Sequence, residues 1–323
     1  MSSRSGPIRR SRQIPRRISR TVRLATLPDK VVAVILNWNC ADDTIRCLQA
    51  VAGGTNVPEI IVVDNGSSDD SIEKLDKLDE PFTLLRLDDN LGYAGGMNAG
   101  IREAHARGAD WVWLLNADAV PRPQALSTLL RHTDRFAVST SLQTTSTQPE
   151  DENPEPYVVA AMLPKGKVRP FRCGGCDEGA HEVDMVTGAS LFLRLPSVMQ
   201  VGLFDERFFH YKEEFDLVRR IADSGDRIGF VCGSEVWHKR GGSLSGSSPR
   251  ARYYHHRNEV LYVRKHYPHP LRRLVSEPIH YKNVAGSLFR VAVGKRERRR
   301  ASLAVLAGYW DGVRGVHGPT ERF

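Results

Sequence analysis

Short, continuous apolar runs alternate along the chain with stretches whose apolar residues recur every three or four positions. Residues 31–36 (VVAVIL) are largely β-branched, the pattern of a strand buried on both faces. Ile45, Leu48 and Val51 then fall at helical spacing, with Asp42 or Asp43 placed to cap the helix. Residues 59–63 (EIIVV) predict a second strand that runs out into Asp64-Asn65-Gly66-Ser67. Ser68 or Asp69 introduces a helix with Ile72, Leu75 and Leu78 on one face. Residues 82–85 predict a third strand, 94–106 a third helix and 111–115 (WVWLL) a fourth strand. This rhythm predicts an α/β fold with a mostly parallel central sheet flanked by helices.

Beyond it, residues 143–156 are polar and proline-rich, a surface loop by composition. Residues 183–195 resume a strand pattern around Thr187-Gly188-Ala189, 213–222 predict a helix and 228–231 a short strand. Residues 241–248 (GGSLSGSS) read as a flexible segment, followed by 253–266 and two basic helical stretches.

Parallel sheets bind ligands beyond the carboxyl ends of their strands. Those ends here carry Asn37-Trp38-Asn39, Asp64-Asn65-Gly66-Ser67 and Asn116-Ala117-Asp118. A carboxylate at Asp118 suits Mg or Mn, although an N-x-D turn after a strand is commonplace. Asn90, Gly92 and Asn98 lie in a glycine-rich helix entrance (NLGYAGGMN), where backbone N–H groups favour phosphate. Its spacing is not that of a dinucleotide-binding loop. Glu213 and Glu214 begin a helix, where one of them can accept a proton from a hydroxyl; His238 ends a short apolar segment. Cys173-Gly-Gly-Cys176 is a single CxxC pair and reads as a loop with two thiols.

Composition adds bounds. Five cysteines, an odd and sparse set, argue against a disulfide framework and for a reducing cytoplasm. No run approaches the roughly 18 apolar residues of a spanning helix, and no apolar segment follows the basic start as a secretory signal requires. The net charge of +8 is unevenly spread. Residues 1–23 hold eight arginines and no acid, residues 24–248 carry a net −11 and residues 249–323 a net +11. An acidic body suits a divalent cation, and basic ends suit an anionic surface.

In order, ILNWN, VVDNGSSD, NLGYAGGMNAG, LLNADAVP, VTGASLFLR, VGLFDERFFHYKEEFDL and VWHKRGGS resemble the family 2 glycosyltransferases of GT-A fold, in particular the bacterial rhamnosyltransferase-like branch. The resemblance covers about residues 31–245 and runs more loosely through YYHHRNEVLYVRKHYP. It implies an inverting transfer of a sugar, rhamnose among the candidates, from a nucleotide-diphosphate sugar donor to a hydroxyl of a cell-envelope glycan or lipid-linked acceptor. Asp64 and Asn65 then contact the nucleobase and ribose, and Asn39, Asn90, Gly92, Asn98 and Asn116 complete the donor-binding set. Asn116-Ala117-Asp118 takes the D-x-D position with its first Asp replaced, leaving Asp118 and His238 to hold a divalent cation, Mg or Mn. Glu214 aligns with the catalytic base and Glu213 precedes it.

The expected organisation is a basic disordered arm (1–28), a GT-A catalytic domain (29–245) and a basic helical C-terminal extension (246–323). The extension is read as a membrane-docking element apart from the catalytic machinery, with Leu303, Leu306, Trp310 and Val313 on one face. A cytoplasmic enzyme held peripherally on the inner face of the plasma membrane follows; a homo-oligomer is compatible with the same face. No nucleic acid is expected, since the chain has no recognisable binding motif. A nucleotide-sugar-binding protein without turnover is the competing reading.

Overall fold

The computed structural model describes residues 30–151, 155–157, 159–162, 169–171, 179–239, 248–267, 278–293 and 296–323. The basic arm, the CxxC pair and residues 241–247 of the glycine-serine segment lie outside these. Strands β1 (Val31–Asn37), β2 (Glu59–Asn65) and β3 (Thr83–Leu87) alternate with helices α1 (Ala41–Ala52) and α2 (Ser71–Leu75). Helix α3 (Gly92–Ala106) returns the chain to β4 (Trp111–Asn116) on the other side of β1. The four strands are parallel in the order β3-β2-β1-β4, so the winding reverses between β1 and β4. A crevice opens at such a reversal, beyond the strands' carboxyl ends.

The chain continues through β5 (Ala119–Pro121), α4 (Ala125–Leu130), β6 (Val138–Thr145), β7 (Glu155–Tyr157), β8 (Ala160–Met162) and β9 (Arg169–Phe171). Then come β10 (His181–Val183), β11 (Met185–Val186), β12 (Ser190–Arg194), α5 (Leu195–Val201), α6 (Glu213–Asp223) and β13 (Ile228–His238). Strand β12 inserts antiparallel between β4 and β6, and β13 lies parallel to β6. Strands β11, β8 and β9 form a small separate sheet. The apolar runs are continuous because both faces of the main sheet are covered. Val32, Val34 and Val63 meet Met97 and Ile101 of α3 on one face; Ala33, Ile35 and Val62 meet Leu48 and Val51 of α1 on the other.

Several boundaries differ from the pattern. The single strand expected over 183–195 is broken, because Gly188 takes φ +121° and a Cβ there would stand 2.1 Å from Gln143 Nε2. The short strand at 228–231 runs on to His238, with a register shift between Val231 and Glu235 absorbing the polar residues between them. Residues 143–145 belong to β6 rather than to a loop. Helix α1 starts after Cys40, putting Asp42 and Asp43 in its first turn rather than at its cap. Cys232 is disulfide-bonded, while Cys40 and Cys47 are free thiols, so the cysteines are not uniformly reduced as their number implies.

Three helices follow: α7 (Pro249–His266), α8 (Pro278–Val293) and α9 (Arg296–Arg314). Helices α7 and α9 approach closely because Gly308 and Gly312 have no side chain; a Cβ at Gly308 would stand 2.5 Å from the Tyr253 carbonyl oxygen. Among the described residues no helix is long and apolar enough to cross a membrane.

Candidate active site

The exits of β1 and β2 are tied together by Asn37. Its Nδ2 donates to Asp64 Oδ1 (2.7 Å) and Ser67 Oγ (3.1 Å), and its Oδ1 accepts from Thr44 Oγ1 (2.7 Å). Asp64 Oδ2 accepts the Ser67 N–H at 3.1 Å. Asn39, at φ +53°, accepts the Ser68 N–H on Oδ1 (2.8 Å). Asp64 is thus fully buried at the floor of the crevice, and Asn39 lies on its exposed rim.

Asn65 turns the other way. Its Nδ2 donates to Asn90 Oδ1 (3.1 Å) and the Gly92 carbonyl (3.0 Å), and its Oδ1 accepts the Leu91 N–H (3.0 Å). Asn90 Oδ1 also accepts the Gly92 N–H at 2.8 Å. These bonds shape the entrance of α3. Asn98, fully buried, donates to the Phe204 carbonyl (2.9 Å) and Glu206 Oε1 (2.8 Å) and accepts the Phe204 N–H (2.9 Å). Its amide joins α3 to the segment after α5, away from the strand exits.

At the end of β4, Asn116 donates its N–H to the Ala189 carbonyl (3.0 Å), while its Oδ1 is buried with no protein donor. Strand β5 pairs antiparallel with the end of β13, with His238 opposite Ala119. That pairing brings His238 Nε2 to 3.1 Å from Asp118 Oδ1. Burial alone would raise the Asp118 pKa, but the hydrogen bond and charge of His238, with Lys239 beyond, hold it below the ordinary range. A buried carboxylate, an imidazole nitrogen and an unpartnered amide oxygen are a donor set suited to Mg or Mn. Among the described residues no cluster of three His, Cys, Asp or Glu side chains accompanies them.

Glu213 and Glu214 open α6, and Glu214 faces Thr187-Gly188. Glu214 Oε2 accepts from the Thr187 hydroxyl and, at 3.3 Å, from the Gly188 N–H. Burial raises the Glu214 pKa; those two donors and the charge of His238 offset part of the rise. Glu213 Oε2 is buried without a donor, and burial followed by the charge of Glu214 pushes its pKa up to about 8. Tyr93 of α3 lies close enough to both glutamates that its own pKa is raised, by burial first and then by their charges.

The segment leading into α6 is strained. Phe209, Tyr211 and Lys212 have φ of +62°, +72° and +75°, a region in which a residue with a side chain costs about 1–2 kcal/mol. Helix α7 holds it there. Asn258 Nδ2 donates to the carbonyls of Phe208 (2.6 Å), His210 (2.7 Å) and Tyr211 (2.8 Å), and Arg257 donates to that of Phe208 (3.0 Å). Asp216 of α6, fully buried, accepts from Lys265 (2.7 Å) and His266 (2.8 Å) of α7. Helix α7 is therefore built into the entrance of α6 rather than set apart from the α/β body, because the strained carbonyls there have their donors on it. Sequence reading marked Asn37 at a strand exit without giving it a role, and did not place Tyr93, Thr187, Arg257 or Asn258 in the site. The signal for the last two was a polar pair one turn from Tyr253-Tyr254, on a face that packing makes internal.

Residues 32–176 match the family model described as "Glycosyl transferase family 2". The galactofuranosyltransferase GlfT1 of Mycolicibacterium smegmatis is 31% identical over 227 residues, 67% of this chain and 73% of that protein. The chain belongs to glycosyltransferase family 2. It is also 23% identical to the N-acetylglucosaminyl-diphospho-decaprenol L-rhamnosyltransferase of Mycobacterium tuberculosis over 263 residues, 73% of this chain and 85% of that one. Among solved structures, GalNAc-T7 with UDP, GalNAc and Mn2+ is similar at a TM-score of 0.58 and 19% identity. That likeness covers 72% of this chain and 47% of the larger GalNAc-T7 chain, and it shows the shared GT-A fold. The family 2 glycosyltransferase is thus an enzyme of the hexosyltransferase class with a relative in the rhamnosyltransferase branch.

Proposed function

We propose that this glycosyltransferase moves a hexosyl unit from a nucleotide-diphosphate sugar to a hydroxyl of a cell-envelope glycan or lipid-linked acceptor, with inversion at the anomeric carbon. The observation that carries this reading is geometric: the Asp118–His238 pair closes over the end of β4, and the 188–189 segment that bonds Asn116 also donates to Glu214. Asp64 and Asn39 line the side of the crevice suited to the nucleoside, and Asn116 the side suited to the diphosphate. Asn65 and Asn98 act one step back, shaping the α3 entrance and anchoring α3. Glu214 takes the proton of the acceptor hydroxyl as its oxygen bonds to C1 and the C1–phosphate bond breaks. Burial raises its pKa, which makes it a stronger base than a free carboxylate. Asp118 and His238 would hold a divalent cation, with Asn116 Oδ1, buried without a protein donor, as a candidate further ligand; when bound, the cation stabilises charge on the departing diphosphate.

Relatives named for galactofuranose and L-rhamnose transfer, one of them onto a decaprenol-linked acceptor, direct the search for substrates. Thermal shift with Mn2+ against dTDP-rhamnose, UDP-galactofuranose, UDP-glucose and UDP-GlcNAc, followed by transfer assays with the donor that binds, tests the proposal. Binding of a donor without transfer or hydrolysis, with either Mn2+ or Mg2+, would instead mark a protein that binds nucleotide sugars without turnover.

A membrane-linked acceptor fits the outer surface of the C-terminal helices, and we propose peripheral attachment to the cytoplasmic face of the membrane. Leu288, Phe289 and Val293 of α8 and Leu303, Trp310 and Val313 of α9 are exposed, Phe289 to 67% and Trp310 to 64%. Arg290 and Arg298–Arg300 are exposed on the same helices. Apolar side chains beside arginines match an interface of anionic headgroups. A two-fold dimer through this face would set the arginines of two copies against each other, which disfavours a second copy as its occupant.

A further inference from the structure

Three successive residues of α7 are spent on the strained segment that leads into α6. Asn258 offers its amide protons to the carbonyls of Phe208, His210 and Tyr211, at 2.6, 2.7 and 2.8 Å. Arg257 is fully buried, and its charge rests on backbone oxygens: Phe208 (3.0 Å), Arg207 (3.4 Å) and Gly318 (2.5 Å). Its Nε donates to Asn258 Oδ1 at 2.9 Å, which fixes the amide with its protons toward the segment. Glu259 pairs with Lys212 at 2.5 Å, on the residue immediately before Glu213. On the far side, Phe209 packs so closely against Gly92 that a Cβ there would stand 2.3 Å from the Phe209 carbonyl oxygen.

A left-handed residue relaxes toward the ordinary regions when its carbonyls lose their donors. With three such residues in four positions directly before α6, relaxation would turn the first residues of the helix. The Phe209 ring also stacks on Tyr254 of α7 and its carbonyl accepts the Ala94 N–H at 3.4 Å, so α7 and α3 grip the segment from two sides. We propose that Arg257 and Asn258 are positioning residues for the transfer reaction: they hold 208–212 in its strained form so that the Glu214 carboxylate is presented to the acceptor hydroxyl. This rests on Glu214 being the base. The plain alternative is that the pair merely docks α7 onto the catalytic domain.

Asn258→Ala, Asn258→Asp and Arg257→Lys separate the two. Arg264→Ala serves as control, because Arg264 donates from α7 to carbonyls of α9, including Gly312 at 3.2 Å, without touching 208–212. With whichever of UDP-galactofuranose or dTDP-rhamnose the wild type turns over, Asn258→Ala should lower kcat by about 10²-fold while donor KM changes less than about 3-fold. Arg264→Ala should change neither, and Arg257→Lys should fall between. In the Glu214→Gln background, Asn258→Ala should cost little more, since both changes act through one carboxylate. Full additivity, or losses in kcat that track losses in thermal stability equally in the control, overturns the proposal. A fully active Glu214→Gln enzyme overturns the base assignment itself, and that result is visible before any α7 variant is made. Amide exchange offers a readout that needs no donor. Asn258→Ala should speed exchange at 209–214 by about 10-fold or more while β1 and β4 stay protected, and unchanged exchange there overturns the proposal as well.

Discussion

His238 and Asp118 lie 120 positions apart in the chain and 3.1 Å apart in the fold, joined because the last turn of β13 pairs with β5 directly after the β4 exit. The pair is expected to hold the cation. Asp118→Ala should leave the fold nearly unchanged and abolish transfer, since Asp118 lies in the turn between β4 and β5 and its side chain bonds His238 rather than the apolar core. His238→Ala should raise the Mn2+ concentration needed for half-maximal activity by more than about 10-fold. Metal titration of the activity checks both; near-normal turnover of Asp118→Ala in EDTA would remove the cation from this site.

The two glutamates should separate by role. Glu214→Gln keeps the Thr187 contact but cannot accept a proton, so it should bind donor and lose about 10²–10⁴-fold in rate. Glu213→Gln should lose far less. Single-turnover rates with saturating donor measure this, and the opposite order moves the base by one residue.

Glu213 also makes stability depend on pH. Its folded carboxyl holds a proton more tightly than the unfolded chain does, through burial and the charge of Glu214, with Lys212 opposing. Stability from this group is therefore greatest below the ordinary glutamate range and falls as pH rises toward about 8. Glu213→Gln should match the wild type in Tm near pH 4 and exceed it near pH 8. Equal Tm differences at both pH values would show that the fold does not raise the Glu213 pKa.

Attachment to anionic membranes should depend on the α9 arginines. Reversing Arg298, Arg299 and Arg300 to Glu removes and inverts three surface charges, each worth about 1 kcal/mol near such a surface, so binding should drop at least 100-fold or so. Vesicles with and without phosphatidylserine provide the comparison at low salt. Transfer to a soluble acceptor should be untouched, because these side chains point to solvent. Undiminished vesicle binding would leave α8 and α9 without this role.

The parts of the fold legible in the sequence were those whose pattern is local. Residues 31–36, 59–63 and 111–115 declare themselves because both faces of each strand are buried, and their polar exits mark the crevice. Strand β13 was legible only to Val231, because the following Cys-Gly-Ser-Glu stretch breaks the apolar pattern at the register shift. Gly188 similarly hides the division between β11 and β12. In the site, residue type pointed to Asn65 and Asn98, but an amide reads the same whether it faces a ligand or the protein's own backbone. Their partners at Asn90, Gly92, Phe204 and Glu206 are set by tertiary contact. Arg257 and Asn258 were hidden for the same reason: their acceptors are carbonyls, which no sequence pattern displays.

One of the Arg257 acceptors is the carbonyl of Gly318, five residues from the final residue of the chain, and Thr320 donates its N–H to the Tyr254 hydroxyl at 2.9 Å. The sheet and crevice are complete by His238, so a chain emerging from the ribosome can fold its donor-binding half long before its tail appears. The Asn258 bonds behind α6 need only α7, whereas the buried Arg257 charge gains its Gly318 acceptor later in the chain. Folding of the crevice and completion of the brace are thus separable events along the chain.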